Sequence, residues 1–160
     1  MLTHVRTFLM TLVLAGLPIT AVLATPPTDP ATVRAEVQAA STAWIDAFNR
    51  GDYAACAAAY TADAAMQGRP LADLEGREAI EAFWRDVLSR DPGRLTYEDP
   101  QIHVLADTVA VLTARWRMSR LGHGIITQER WEKQDDGTWL LTDDTFEIRG
   151  QVEPTQPATE

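Results

Sequence analysis

An α+β fold, with helices covering one face of a curved antiparallel sheet, is what this chain predicts. Three observations carry that prediction. Apolar residues recur at helical spacing over the first half, the period changes to two from Leu95 onward, and turn residues cut that second part into four successive strands. The 160 residues are one domain's worth, and 46% hydrophobic against 23% charged suffices to close a core without staples.

The first 24 residues read as an address. His4-Val5-Arg6 precedes an apolar stretch from Phe8 to Ala24 that contains Gly16 and Pro18. A membrane span wants about 20 apolar residues and tolerates a central proline poorly. A basic start, an apolar middle and the small residue Ala24 are the pattern of a secretory signal peptide, with cleavage after Ala24. An uncleaved anchor is the alternative. No cysteine follows for lipid attachment and no Arg-Arg pair precedes, so the expected location is periplasmic or secreted. Residues 25–32 then form a short lead, 33–148 the domain and 149–160, with two prolines, a flexible tail.

Asp29-Pro30 opens the first helix, with Asp29 as N-cap and Pro30 at the first position. Val33, Val37, Ala40, Trp44 and Phe48 form its apolar stripe, while Arg34, Gln38, Ser41 and Asp46 fall off it. Gly51 ends this helix, and Asp52 caps an alanine-rich second one reaching about Tyr60. These stop and start roles account for Arg50-Gly51-Asp52, which need not be an adhesion tripeptide. Gly68-Arg69-Pro70 is a turn between short extended pieces near Ala65–Gln67 and Ala72–Glu75. Gly76 precedes a third helix whose apolar face is Ile80, Phe83, Trp84, Val87 and Leu88, ended by Asp91-Pro92-Gly93. Strands follow near 95–105, 108–118, 125–133 and 138–148, and Asp135-Asp136-Gly137 is a strong hairpin signal.

Charge and cysteine count narrow the function. Asp and Glu outnumber Lys and Arg by 23 to 14, a net charge of −9, with no basic cluster. Nucleic acid is therefore a poor partner, and so is a membrane once the leader is removed. A single cysteine, Cys56, lies in an alanine run as a small buried thiol and excludes an internal disulfide and every multi-cysteine zinc pattern. His103 and His123 have no spaced partners, and no nucleotide loop, nucleophile elbow or cofactor lysine occurs, so neither metal nor cofactor is expected.

Four segments in order carry a resemblance. They are Trp44-Ile45-Asp46-Ala47-Phe48-Asn49-Arg50-Gly51-Asp52, Tyr60-Thr61-Ala62-Asp63-Ala64, Gly76-Arg77-Glu78-Ala79-Ile80 with Phe83-Trp84, and Asp136-Gly137-Thr138-Trp139. Across about residues 33–148 the chain is similar to the SnoaL-like and ketosteroid-isomerase-like proteins of the nuclear transport factor 2-like superfamily. The resemblance implies a cone, in which a curved sheet wraps three helices around an apolar pocket, and often a homodimer through the outer sheet face. It also implies what is missing: Trp44 stands where the steroid isomerases have a catalytic tyrosine, and the base aspartate position falls at Gly68. Only Glu129 matches their second, protonated acid, so a standard steroid isomerase is excluded.

Two carboxylates remain as catalytic candidates, Glu129 and Asp144. Strict alternation puts Glu129 on one face with Ile125, Thr127 and Trp131, and Asp144 on one face with Leu140, Thr142, Phe146 and Ile148. Burial beside large apolar neighbours would raise both pKa values, as acid–base work requires. The alternative is a structural pair, with Arg115 roughly opposite Glu129 holding it ionised. Here the two readings conflict. Ala110, Leu112, Ala114, Trp116 and Met118 form an unbroken apolar face that should point inward, whereas the resemblance turns Arg115 and Arg117 inward, which needs a bulge. Trp44, Tyr60, Met66, Trp84, Arg115, Trp116, Trp131 and Phe146 are the expected pocket lining, while Trp139 is assigned to the core. The expected function is binding of a small, largely apolar molecule, with isomerase, dehydratase or cyclase-type acid–base chemistry. A non-catalytic ligand-binding, protein-binding or dimerisation module of the same fold is the alternative.

Overall fold

A computed structural model describes residues 28–151. The leader assigned to residues 1–24, and the tail beyond Gln151, lie outside the described residues.

Helix α1 (Pro30–Asn49) starts where Asp29 accepts a hydrogen bond from the Ala31 N–H at 3.0 Å. Its buried stripe is Val33, Val37, Ser41, Trp44, Ala47 and Phe48. Ser41 therefore belongs to the stripe that composition excluded it from, because it sits four residues after Val37 and three before Trp44. Asp52 caps α2 (Tyr53–Ala58), accepting from the Ala55 N–H at 2.9 Å. The chain then leaves the helix and enters β1 (Tyr60–Arg69) at Tyr60 itself. β2 (Ala72–Glu75), α3 (Arg77–Ser89), β3 (Leu95–Ala106), β4 (Val109–Met118), β5 (Gly122–Lys133) and β6 (Trp139–Gln151) complete the order. β6 runs three residues past the boundary set at 148.

The six strands form one curved sheet in the order β2-β1-β6-β5-β4-β3. β3 to β6 are the expected antiparallel meander, but β1 pairs with β6 in parallel, so the sheet is mixed. That pairing joins the first strand to the last, and no hairpin signal announces a partner so distant in the chain. The α1 helix packs on β3, β4 and β6, and α3 packs on β1 and β2.

A polar clamp ties the end of α1 to the start of β3. The Asn49 side chain donates to the Leu95 carbonyl at 3.0 Å and accepts from the Leu95 N–H at 2.8 Å, while Leu95 is buried. An Asn49→Ala substitution strands both backbone groups. We expect a loss of about 1–3 kcal/mol in urea unfolding, and a loss below about half a kcal/mol would contradict the clamp.

Of the three β-bulges along the β5–β6 pairing, two set which side chains around the carboxyls face the helices. Between the pairs Ile126↔Phe146 and Gln128↔Thr145, β5 carries one extra residue, Thr127. Between Arg130↔Asp143 and Trp131↔Leu141, β6 carries one extra residue, Thr142. An extra residue reverses the inward parity of its strand. On β5 the buried set changes from Gly122, Gly124 and Ile126 to Glu129 and Trp131. On β6 Trp139 and Leu141 are buried before the bulge and Asp144 after it. Ile125 and Thr127 thus do not share the face of Glu129, nor Leu140 and Thr142 that of Asp144, as unbroken alternation had predicted.

Candidate active site

The first bulge shifts the register by one and the second restores it, so that Glu129 stands directly across from Asp144. Without the two bulges, Asp143 would take that place. Both carboxyls are at most 4% exposed and, among the described residues, neither has an ion-pair partner. The Tyr97 hydroxyl donates to Glu129 Oε1 at 2.7 Å and the Trp131 indole N–H donates to Oε2 at 3.1 Å. The Tyr60 hydroxyl donates to Asp144 Oδ2 at 2.7 Å. Asp144 Oδ1 meets no donor among the described residues.

Burial without a cation penalises the ionised form and raises both carboxyls. Burial pushes Glu129 up to about 8, and repulsion from Asp144 adds to it, against the hydrogen bonds from Tyr97 and Trp131. Burial likewise pushes Asp144 up to about 7, opposed by the Tyr60 hydrogen bond. The same burial, with the two carboxylates close by, drives the Tyr60 and Tyr97 hydroxyls well above their ordinary range, so both stay protonated donors. The donor-only Trp131 N–H fixes Glu129 Oε2 as an acceptor. A proton on Glu129 must therefore sit on Oε1 and force Tyr97 to reverse its hydrogen bond. A proton on Asp144 has Oδ1 open to it. Near neutral pH two facing carboxylates avoid ionising together, so the pair retains a proton, and Asp144 Oδ1 is the seat that no donor occupies.

Asp144 lies on the wall of an apolar cavity; Glu129 does not. Trp44 of α1, Trp84 of α3, Leu95 and Tyr97 of β3, Trp116 and Met118 of β4, Ile126 of β5 and Phe146 of β6 form the rest of the lining. The cavity is small, about 30 Å³. Its rings interlock: Trp44 and Trp84 meet edge-on at 5.1 Å, Trp84 stacks on Phe146 at 6.1 Å, and Trp116 meets Phe146 edge-on at 6.4 Å. Among the described residues the indole N–H groups of Trp84 and Trp116 have no hydrogen-bond partner of good geometry; that of Trp84 leans toward the Tyr60 hydroxyl.

Of the eight side chains expected to line the pocket, Trp44, Trp84, Trp116 and Phe146 do so. Tyr60 and Trp131 stand behind it as donors to the two carboxyls, and Met66 is packed deeper still, its sulfur 3.9 Å from the Tyr60 hydroxyl. Arg115 is a correction. Its side chain is 59% exposed and pairs with Asp99 and Glu98 on β3, while Ala110, Leu112, Ala114, Trp116 and Met118 take the inner face. The bulge that could have turned it inward is on the neighbouring strand, where it acts on β5. Leu112, not Arg115, is opposite Glu129, and the arginine-paired alternative for Glu129 falls with it. Tyr97 escaped the sequence reading. Period-two continuation from the buried Leu95 would have put it inward, opposite Trp116. At the steroid-isomerase base position, Gly68 is buried beneath the Phe146 ring, and an added Cβ there would lie 2.5 Å from the ring carbon Cζ.

The comparisons with known proteins agree on the architecture. A search of curated proteins finds no match. Among solved structures, a nuclear transport factor 2-like protein of unknown function from Shewanella oneidensis superposes with a TM-score of 0.62 at 20% identity, covering 72% of this chain and 98% of that one. A candidate dehydratase of the same fold family from Streptomyces avermitilis gives 0.65 at 15% identity, covering 75% and 98%. A ketosteroid isomerase-like protein from Erwinia carotovora gives 0.58 at 19% identity, covering 75% and 96%. Identities this low carry the fold and not the chemistry. The family model of the SnoaL-like domain matches residues 41–150, and on that match the chain belongs to the SnoaL-like family.

Proposed function

We propose that this protein carries out acid–base chemistry on a small, largely apolar molecule, of the isomerisation, dehydration or cyclisation type, with Asp144 as the proton-transferring group. The observation that carries the reading is a pair of opposed, cation-free buried carboxyls of which one, Asp144, opens into an aromatic cavity. Protonated Asp144 gives its proton to an oxygen of the ligand, and the carboxylate left behind keeps the Tyr60 hydrogen bond. It then recovers a proton from a ligand carbon or hydroxyl, so that the protein returns to its starting state. Glu129, held by Tyr97 and Trp131 away from the cavity, faces Asp144 across the sheet, so the two carboxyls do not ionise together and the pair keeps a proton near neutral pH.

Solvent-deuterium incorporation into small enones and β-hydroxyketones, followed by NMR, tests this. Wild type should accelerate exchange, and Asp144→Asn should lower the rate by about 10²–10⁴-fold. Full activity in the Glu129→Gln, Asp144→Asn double variant would remove the reading.

The bare position at Gly68 supports a second reading, in which the same cavity binds without turnover and the domain serves as a ligand-binding, protein-binding or dimerisation module. In either reading we place the working protein outside the cytoplasm as a homodimer, on the strength of residues 1–24 and of the family resemblance.

A further inference from the structure

Most of the cations of this chain are spoken for. Among the described residues, eight arginine and lysine side chains meet a carboxylate. Arg69 and Arg77 donate instead to the Gln67 side chain and the Tyr60 carbonyl. Arg34, Arg50 and Arg94 make neither an ion pair nor a side-chain hydrogen bond among the described residues. With 23 acids against 14 bases, an arginine without an acid runs against the composition, and two of these three stand in one recess.

That recess, of about 340 Å³, lies where the end of α1, the α3–β3 connection and the β4–β5 turn meet. The three segments contribute Arg50, Arg94 and Arg120 in turn, beside the apolar Phe48 and the buried Pro92. The backbone under each arginine is tied. Asn49, one residue before Arg50, grips Leu95, one residue after Arg94, so the clamp described above holds the two arginines on joined backbone. The Arg94 N–H donates to Ser119 Oγ at 2.9 Å and the Arg120 N–H to the Pro92 carbonyl at 3.0 Å, which fixes the third segment against the second. A ligand therefore meets a backbone that is already ordered. Among the described residues Asp91 is the one carboxylate on the wall, and it pairs with Arg120. Two positive charges are left over. The carbonyl end of α1 favours a cation at Arg50, but Arg94 and Arg120 lie outside any helix.

We infer that this recess binds a compact doubly charged oxyanion, a phosphate or dicarboxylate group, with Arg50 and Arg94 as forked donors and Arg120 shared with Asp91. The inference is independent of Asp144 and its chemistry. Titration of the ¹⁵N-labelled protein at constant ionic strength, with inorganic phosphate in one arm and succinate in the other, tests it through the Gly51 and Gly93 amide signals. At least one anion should saturate those signals with a Kd of about 10 mM or less. Saturation by phosphate alone assigns a phosphoryl ligand, by succinate alone a dicarboxylate, and by both a site that reads charge. Arg50→Gln and Arg94→Gln should each raise Kd about three- to fivefold. Asp91→Asn frees Arg120, suits the φ of +50° at that position, and should lower Kd about two- to threefold. Arg34→Gln, near the other end of α1, should leave Kd unchanged. Shifts that stay linear to about 50 mM in both arms overturn the site, because diffuse attraction to exposed charge does not saturate there. Saturation that survives in the Arg50→Gln, Arg94→Gln double variant overturns it as well.

Discussion

Acidification from about pH 9 to about pH 5 should raise the melting temperature of this protein, against the usual behaviour of buried carboxylates in ion pairs. Glu129 and Asp144 hold their protons up to about 8 and about 7 when folded, against ordinary values of 4.5 and 3.8. Between those limits the unfolded chain releases protons that the folded chain keeps. The stability these groups contribute is complete below the ordinary carboxyl range and is lost as pH rises through their folded values. Each carboxyl adds a slope of up to about 1.4 kcal/mol per pH unit, so the pair spans on the order of 5 kcal/mol and the melting temperature roughly 10 °C or more. At the acid end other groups take over. Glu36, hydrogen-bonded by Lys133 and Trp139, and Asp136, hydrogen-bonded by Thr138, are lowered, and their contribution disappears as pH falls through their folded values. Stability should therefore peak near about pH 5. Calorimetry across the range checks this, and the Glu129→Gln, Asp144→Asn double variant should lose the neutral-side slope. A melting temperature that falls on acidification from about pH 8 to about pH 6 would refute the account.

A single methyl group at Gly124 should do comparable damage. On β5 this residue faces inward, opposite Ile148, and an added Cβ would fall on the backbone carbonyl of Glu147 and 2.6 Å from Cζ2 of Trp116. Neither neighbour is a flexible side-chain end. One is main chain in the adjacent strand and the other a packed indole, so relief requires the strands to part or the ring to enter the cavity. Gly124→Ala is expected to cost at least about 4 kcal/mol, or to prevent folding. Gly137→Ala is the control, since that Cβ meets nothing within 4 Å and bears only the strain of a φ of +87°. Its cost should be about 1–2 kcal/mol. Urea unfolding of the two variants, with soluble yield as a second readout, separates steric conflict from backbone preference. Equal costs would mean that Trp116 is loosely held.

The site shows how far periodicity reaches. Alternation alone placed Ala110, Leu112, Ala114, Trp116 and Met118 inward, and against the implication of the resemblance it was right about Arg115. Alternation also failed, twice, where a single inserted residue reversed it. Thr127 and Thr142 carry no glycine or proline to mark a bulge, and each is recognisable only from the strand opposite. Tyr97 was within reach of the same rule, two residues on from the buried Leu95.

Caps, helix stripes and hairpins were legible because their causes lie within a few residues of one another: Asp29 beside Pro30, Asp52 three residues before Ala55, Asp136-Gly137 between two apolar runs. The apolar context of Glu129 and Asp144 was equally readable. That the two carboxyls face one another, that no arginine meets them, and that only Asp144 opens into the cavity depend on the β5–β6 register and on which side of β4 is buried. Those are collective outcomes. A strand register is set by burying a whole face at once, and one extra residue exchanges inside for outside for every side chain beyond it. The parallel seam between β1 and β6, which brings Tyr60 to Asp144 across 84 residues of chain, is of the same kind.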